Sequence, residues 1–149
     1  MPDASITTDA IVGFPRETRE QFNNTVELFK EIKFNMAYIS QYSPRPGTAA
    51  EKLDDNISKP EKKRRAEKLM EILRKTAWEN NKKYIGEIVE VLVEGKNKKG
   101  EWYGKTRTSK SVKVRSKKSE VRSKNNLFGE FVNVKINKSR DFGLEGELA

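Results

Sequence analysis

Nine basic residues fall between Lys105 and Lys124 (Lys105, Arg107, Lys110, Lys113, Arg115, Lys117, Lys118, Arg122 and Lys124), against the single acid Glu120. Trp102 and Tyr103 stand just before them. Lys113 and Arg115 alternate with Val112 and Val114, so a strand here holds its cations on one face and its apolar groups on the other. Clustered cations beside aromatic rings suit a polyanion that carries flat bases. The charges meet phosphates, and rings such as those of Trp102 and Tyr103 stack on bases. The candidate contacts to RNA are Trp102, Tyr103, Lys105, Arg107, Lys113, Arg115, Lys117 and Lys118. The residues alone leave a second reading open, a solvated basic loop that keeps a small domain soluble.

Two further stretches could act on a ligand. Gly13-Phe14-Pro15-Arg16-Glu17-Thr18 and Tyr42-Ser43-Pro44-Arg45-Pro46-Gly47-Thr48-Ala49 each follow a short apolar run. Pro44 and Pro46 stiffen the second loop around Arg45, and a fixed guanidinium suits a carboxylate or phosphate. An ordinary rigid connection explains the same spacing equally well. Catalysis finds less support. The chain has no cysteine and no histidine, which excludes disulfides, thiolate-held clusters and Cys- or His-based zinc sites within it. It also lacks the commonest general base, and no serine or carboxylate pair has a recognisable catalytic spacing.

The elements that must position these residues come in two kinds. Ser5–Phe14 reads as a strand, Thr18 with Gln21 as a capping box, and residues 19–33 as an amphipathic helix with Phe22, Val26, Phe29 and Ile32 on one stripe. Asn35–Tyr42 reads as a second strand, parallel to the first in a βαβ unit. Two parallel strands leave a sheet face and edges uncovered, so residues 1–58 read as a fragment of an α/β barrel or open sheet. Ser58-Lys59-Pro60-Glu61 starts a helix over residues 59–83, with Leu69, Ile72, Leu73, Thr76 and Ala77 on its buried face. Lys62, Lys63, Arg64 and Arg65 crowd its first turns, where the helix dipole disfavours cations. They serve either a partner phosphate or a solvated face. Residues 84–149 read as five short strands: Ile85–Glu94, Trp102–Thr108, Ser111–Arg115, Gly129–Lys138 and Phe142–Leu148. Five strands in so short a stretch suit a small closed barrel, because closure removes exposed edges.

Charge is divided in the same way. The formal net charge is +9 over 149 residues. Residues 1–58 hold 6 basic and 9 acidic groups, residues 59–83 hold 10 and 4, and residues 84–149 hold 15 and 9. The excess of cations therefore lies in the helix and the barrel, and it points to an anionic partner. No signal peptide and no bilayer-length apolar run is evident, so the expected location is the cytoplasm.

Several of these stretches resemble a known family. Thr8-Asp9-Ala10-Ile11-Val12-Gly13-Phe14-Pro15, Glu17-Thr18 and the Tyr42–Ala49 loop resemble the late part of the radical-SAM methylthiotransferases. Ile88–Glu94, Gly104-Lys105-Thr106-Arg107-Thr108, Phe131–Ile136 and Gly146-Glu147-Leu148 resemble the TRAM domain that ends those enzymes. The Arg45 loop resembles the tRNA branch, which methylthiolates the adenosine next to the anticodon.

The resemblance implies an α/β fragment (the end of a radical-SAM partial TIM barrel) over residues 1–58, followed by a connecting helix over 59–83. An OB-like five-stranded TRAM domain over 84–149 completes it. It also implies tRNA as partner. S-adenosylmethionine and two 4Fe–4S clusters are the cofactors of the complete enzyme, whose six cluster cysteines are absent from this chain, so this chain binds none of these cofactors by itself. Asp9, Ile11, Gly13 and Phe14 are placed near S-adenosylmethionine and Arg45 on the substrate side. Arg16 departs from the family pattern, which has glycine there. The chain is then either the C-terminal portion of such an enzyme, with the N-terminal part on the same or a separate chain, or a free-standing RNA-binding module without catalysis.

Overall fold

A computed structural model of the chain describes residues 4–115 and 126–149. Lys117 and Lys118, with Glu120, Arg122 and Lys124 of the cationic run, lie outside the described residues. Two compact units are present, one spanning Ile6–Thr76 and the other built on Ala77–Ala149. Among the described residues no helix is long and apolar enough to cross a membrane.

In the first unit, β1 (Thr7–Val12) pairs in parallel with β2 (Met36–Gln41), from Thr7 opposite Met36 to Val12 opposite Gln41. Helix α1 (Arg19–Ile32) joins them. Its capping box is formed in full: Thr18 Oγ1 accepts from the Gln21 amide at 3.1 Å, and Gln21 Oε1 accepts from the Thr18 amide at 2.9 Å. Phe22, Val26 and Phe29 are buried as their spacing predicts, whereas Ile32, the last helical residue before the left-handed Lys33, is exposed.

Helix α2 (Lys59–Lys82) contributes Leu69, Ile72 and Leu73 to the same core, against Val12, Phe34 and Ala37. Ala10 and Ile39 pack on that core, while Ile11 and Tyr38 stand 59% and 66% exposed. The helices thus cover one face of the strand pair and leave the other open, as the period-2 alternation requires. Ser58 Oγ caps α2 through the Glu61 amide at 3.4 Å. Ser58 and Glu61 have the spacing of a capping box, but the reciprocal bond from Glu61 gives way to a stronger pairing. The Glu61 carboxylate accepts from Arg64 at 2.7 and 2.8 Å and from Arg65 at 2.9 Å, and charge-assisted bonds outweigh a neutral amide.

In the second unit, β3 (Ile88–Lys96), β4 (Trp102–Thr106), β5 (Ser111–Arg115), β6 (Phe131–Arg140) and β7 (Gly143–Leu148) close into a barrel in the order β3-β4-β5-β7-β6. All pairs are antiparallel except β5–β7, which is parallel. Val91, Val93, Trp102, Val112, Val114, Val134, Ile136 and Leu144 fill the interior. At Gly104 and Gly146 any Cβ would collide with a backbone carbonyl of the neighbouring strand, Leu92 and Lys135 respectively, so only glycine permits this closure. A polar node pins the barrel's turns. Asn81 Nδ2 donates to the carbonyls of Arg140 and Asp141 at 2.9 and 3.1 Å, and Asn81 Oδ1 accepts from Lys110 Nζ at 2.9 Å.

Candidate nucleic-acid interface

Strand parity decides which barrel side chains can meet a ligand. Along β4, Trp102, Gly104 and Thr106 point inward while Tyr103 and Lys105 point outward, and Arg107 is exposed just beyond the strand. Trp102 is a core residue, 9% exposed, with Lys96 Nζ lying 4.2 Å from its ring centroid. Little of its ring is open to a base. Tyr103, 41% exposed, is the outward ring of the pair.

On β5, Val112 and Val114 are buried, and Lys113 and Arg115 lie on the outer face as their alternation predicts. Both are already paired with acids. Lys113 Nζ lies 2.7 Å from Glu101, whose carboxyl is held below its ordinary range by hydrogen bonds from Lys113 and then Asn97. Arg115 donates to Glu145 Oε2 at 3.1 Å, and Arg140 donates to Glu145 Oε1. Burial alone would push the Glu145 carboxyl up, but the hydrogen bonds and charge of Arg140, with Lys113 and Arg115 adding, hold it down. Lys110 leaves the cationic surface altogether. It is buried beside Asn81 and Tyr84, and desolvation followed by the charge of Lys83 lowers its pKa.

Lys105 and Arg107 have a different setting. They border an outer-surface cleft of about 570 Å³ lined also by Glu90, Leu92, Glu94, Thr106, Ser109 and Phe131. Lys105 is half exposed and lies 3.6 Å from Glu94. Among the described residues, no acid lies within ion-pairing distance of Arg107. The cationic run drew attention to this side of the barrel but missed Phe131, 66% exposed on β6. The signal was present, since Phe131 is out of phase with the inward Val132, Val134 and Ile136.

A second cleft, of about 490 Å³, belongs to the α/β unit. Asp9 and Ile11 from the open face of β1, Phe14 after it, Tyr38 and Ser40 from β2, and Arg45 share its lining. Phe14 and Tyr42 meet edge to face at 5.2 Å. The sequence-predicted Asp9, Ile11, Phe14 and Arg45 are therefore brought together, while Gly13 lies behind them against Lys62.

Buried cations of α2 hold the loops that shape this cleft. Arg65 donates to the carbonyl of Glu17 at 3.1 Å and pairs with its carboxylate, which also accepts from the Gly13 amide at 2.7 Å. Lys62 Nζ bonds Asp55 at 2.6 Å and the Tyr42 carbonyl at 3.3 Å. Lys62 and Arg65 are thus neither a phosphate site nor a solvated face, because both are about 4% exposed and fully engaged. Arg64 and then Arg65 draw the Glu61 pKa down from 4.5 to about 2. Burial works against the Arg65 cation, yet its bonds to Glu61 and Glu17 raise its pKa. Arg16 adopts φ 68°, the left-handed conformation that glycine takes most easily, and its amide donates to Asn56 Oδ1 at 3.0 Å.

Residues 82–149 match the family model of the TRAM domain. The tRNA-2-methylthio-N(6)-dimethylallyladenosine synthase of Bacillus licheniformis is 43% identical over 150 residues, which cover 99% of this chain and 28% of that protein. The synthase of the same name from Clostridium tetani is 44% identical over 149 residues, 99% of this chain and 31% of its own length. That from Geobacillus thermodenitrificans is 43% identical over 151 residues, 100% of this chain and 28% of its own. The chain therefore spans less than a third of the length of these relatives.

Proposed function

From a chain that carries a TRAM domain over residues 82–149 and resembles the C-terminal part of the tRNA methylthiotransferases along nearly its whole length, we propose that it is the C-terminal portion of a tRNA-2-methylthio-N(6)-dimethylallyladenosine synthase. It supplies tRNA binding and one wall of the cofactor and substrate cavity, in the cytoplasm. The observation that carries this reading is the 43% identity sustained over 99% of the chain, through both the α/β unit and the barrel.

The residues divide the work. Iron–sulfur clusters do not fit here. The sequence has no cysteine or histidine, and among the described residues no three His, Cys, Asp or Glu groups stand together to hold a metal. An S-adenosylmethionine wall does fit the α/β cleft, where an acid (Asp9), apolar groups (Ile11 and Phe14) and a guanidinium (Arg45) line one concave surface. When bound, S-adenosylmethionine supplies the radical chemistry and the methyl group. Asp9 is suited to its amine or hydroxyl groups, Ile11 and Phe14 to its apolar parts, and Arg45 to an anionic group on the substrate side. Gly13 is not a contact itself but keeps the loop close to Lys62.

On the barrel, Tyr103, Lys105 and Arg107 are the available contacts, with Lys113 and Arg115 exchanging Glu101 and Glu145 for phosphates. This exchange makes the β5 cations weaker contacts than Arg107. A salt titration of tRNA affinity tests the reading. Affinity should fall linearly on logarithmic axes, and Lys105→Gln with Arg107→Gln should flatten the slope by roughly 0.7–0.9 per lost phosphate contact. The double change Lys113→Gln, Arg115→Gln should flatten it less. A tRNA affinity unchanged from low to high salt would end the proposal.

A further inference from the structure

The cleft bordered by Lys105 and Arg107 contains groups that phosphate binding does not use. Two outward rows cross the sheet there. Phe131 on β6 pairs with Leu92 on β3, which pairs with Lys105 on β4. In the next row, Asn133 pairs with Glu90, and Val91 beside Glu90 pairs with Thr106 beside Arg107. Glu94 and Ser109 complete the rim. An exposed ring and a leucine thus form an apolar floor, with a carboxylate one row away and two cations along one edge. A surface serving phosphates alone has no use for Phe131 and is weakened by Glu90, since an acid repels the backbone. The cleft volume, about 570 Å³, is ample for one nucleotide.

We propose that this cleft captures a single unpaired guanine of the bound RNA, with the base stacked on Phe131, its Watson–Crick edge read by Glu90, and the flanking phosphates held by Lys105 and Arg107. Stacking requires only an open ring face, and Phe131 supplies one. Glu90 decides the base. An ionised carboxylate only accepts hydrogen bonds, through two oxygens side by side. Guanine presents N1–H and the N2 amino group as adjacent donors matching both oxygens. Cytosine and adenine offer one amino group beside an acceptor nitrogen, and uracil offers one N–H between two repelled carbonyls. Lys105 can leave Glu94 for a phosphate, because that pair is long and half exposed.

The inference rests on the RNA-binding role proposed for the barrel, and one experiment separates the two. Affinities of the 149-residue chain are measured for uridine nonamers carrying G, C, A or U at the centre. The guanine oligomer should bind more tightly than the all-uridine one by roughly 5- to 150-fold. Glu90→Gln, which places a donor against a donor, should bring that ratio toward unity. Phe131→Ala should weaken all four oligomers, by roughly 5- to 150-fold if the stack is lost, with an unchanged melting temperature because the ring is solvent-facing. Binding without base preference, or a preference that survives Glu90→Gln, overturns the guanine site and leaves RNA binding standing. No binding of any oligomer at low salt overturns both.

Discussion

The two units solve the same problem in opposite ways. The barrel pairs every strand on both sides and encloses its apolar residues, so its outer surface is free to carry polar and aromatic groups. The α/β unit has two paired strands, helices on one face, and Ile11 and Tyr38 exposed on the other. A parallel sheet is ordinarily covered on both faces. The first unit therefore relies on its ion pairs and on α2, whereas the second relies on closure. The two candidate clefts divide along the same line, because one lies on the open face of the strand pair and the other on the outer face of the barrel.

The largest test of this contrast is separation. Residues 77–149 should melt cooperatively alone, whereas residues 1–58, which lack Leu69, Ile72 and Leu73 of α2, should show no cooperative transition. Slowly exchanging amides throughout a 1–58 fragment would erase the distinction. Acid provides a second, smaller test. Glu61 titrates at about 2 instead of 4.5 in the folded α/β unit. The stability it contributes is fully present above pH 4.5 and is lost as the pH falls through 4.5 toward 2. Glu61→Gln should therefore lower stability at neutral pH and flatten the acid limb of the α/β transition. An acid limb identical in the two proteins would show that the Arg64–Glu61–Arg65 cluster does not set it. The smallest effect concerns Arg16. A non-glycine residue in the left-handed region stores roughly 1 kcal/mol or more, so Arg16→Gly should raise the stability of the α/β unit by about 1 kcal/mol in denaturant melts. A loss would mean that the arginine side chain offsets its backbone strain.

Much of this contrast was legible in the chain. The Thr18–Gln21 box, the Leu69–Ala77 stripe and the Val132–Ile136 alternation each encode a local rule that tertiary packing leaves intact. The closed barrel followed from those patterns, and the match of residues 82–149 to the TRAM model agrees with the resemblance. What escaped was set by partners distant in sequence. Lys62 and Arg65 read as surface cations, because Glu17 and the Tyr42 carbonyl reach them only through the fold. A signal did exist: residues 62, 65, 69, 72 and 76 lie on one helical stripe, so both cations share the buried face of Leu69. The parity of β4 was likewise unfixed. Trp102 and Tyr103 are adjacent aromatics, and Gly104 and Thr106 mark neither face strongly. The register against Lys96 and Val114 sends Trp102 inward.

The parallel β5–β7 pair carries a kinetic consequence. Strands β3, β4 and β5 follow one another as antiparallel neighbours, and β6 and β7 form a second such ribbon. Each can assemble from nearby residues, but the cylinder exists only once the two ribbons join at both seams, β3 to β6 and β5 to β7. Both seams join residues far apart along the chain, and the entropy of bringing them together is spent before their contacts form. Folding of the barrel should therefore be governed by ribbon docking. A chain that stops before Glu147 lacks part of the β5–β7 seam, so the barrel can close only once the whole of β7 is available to dock.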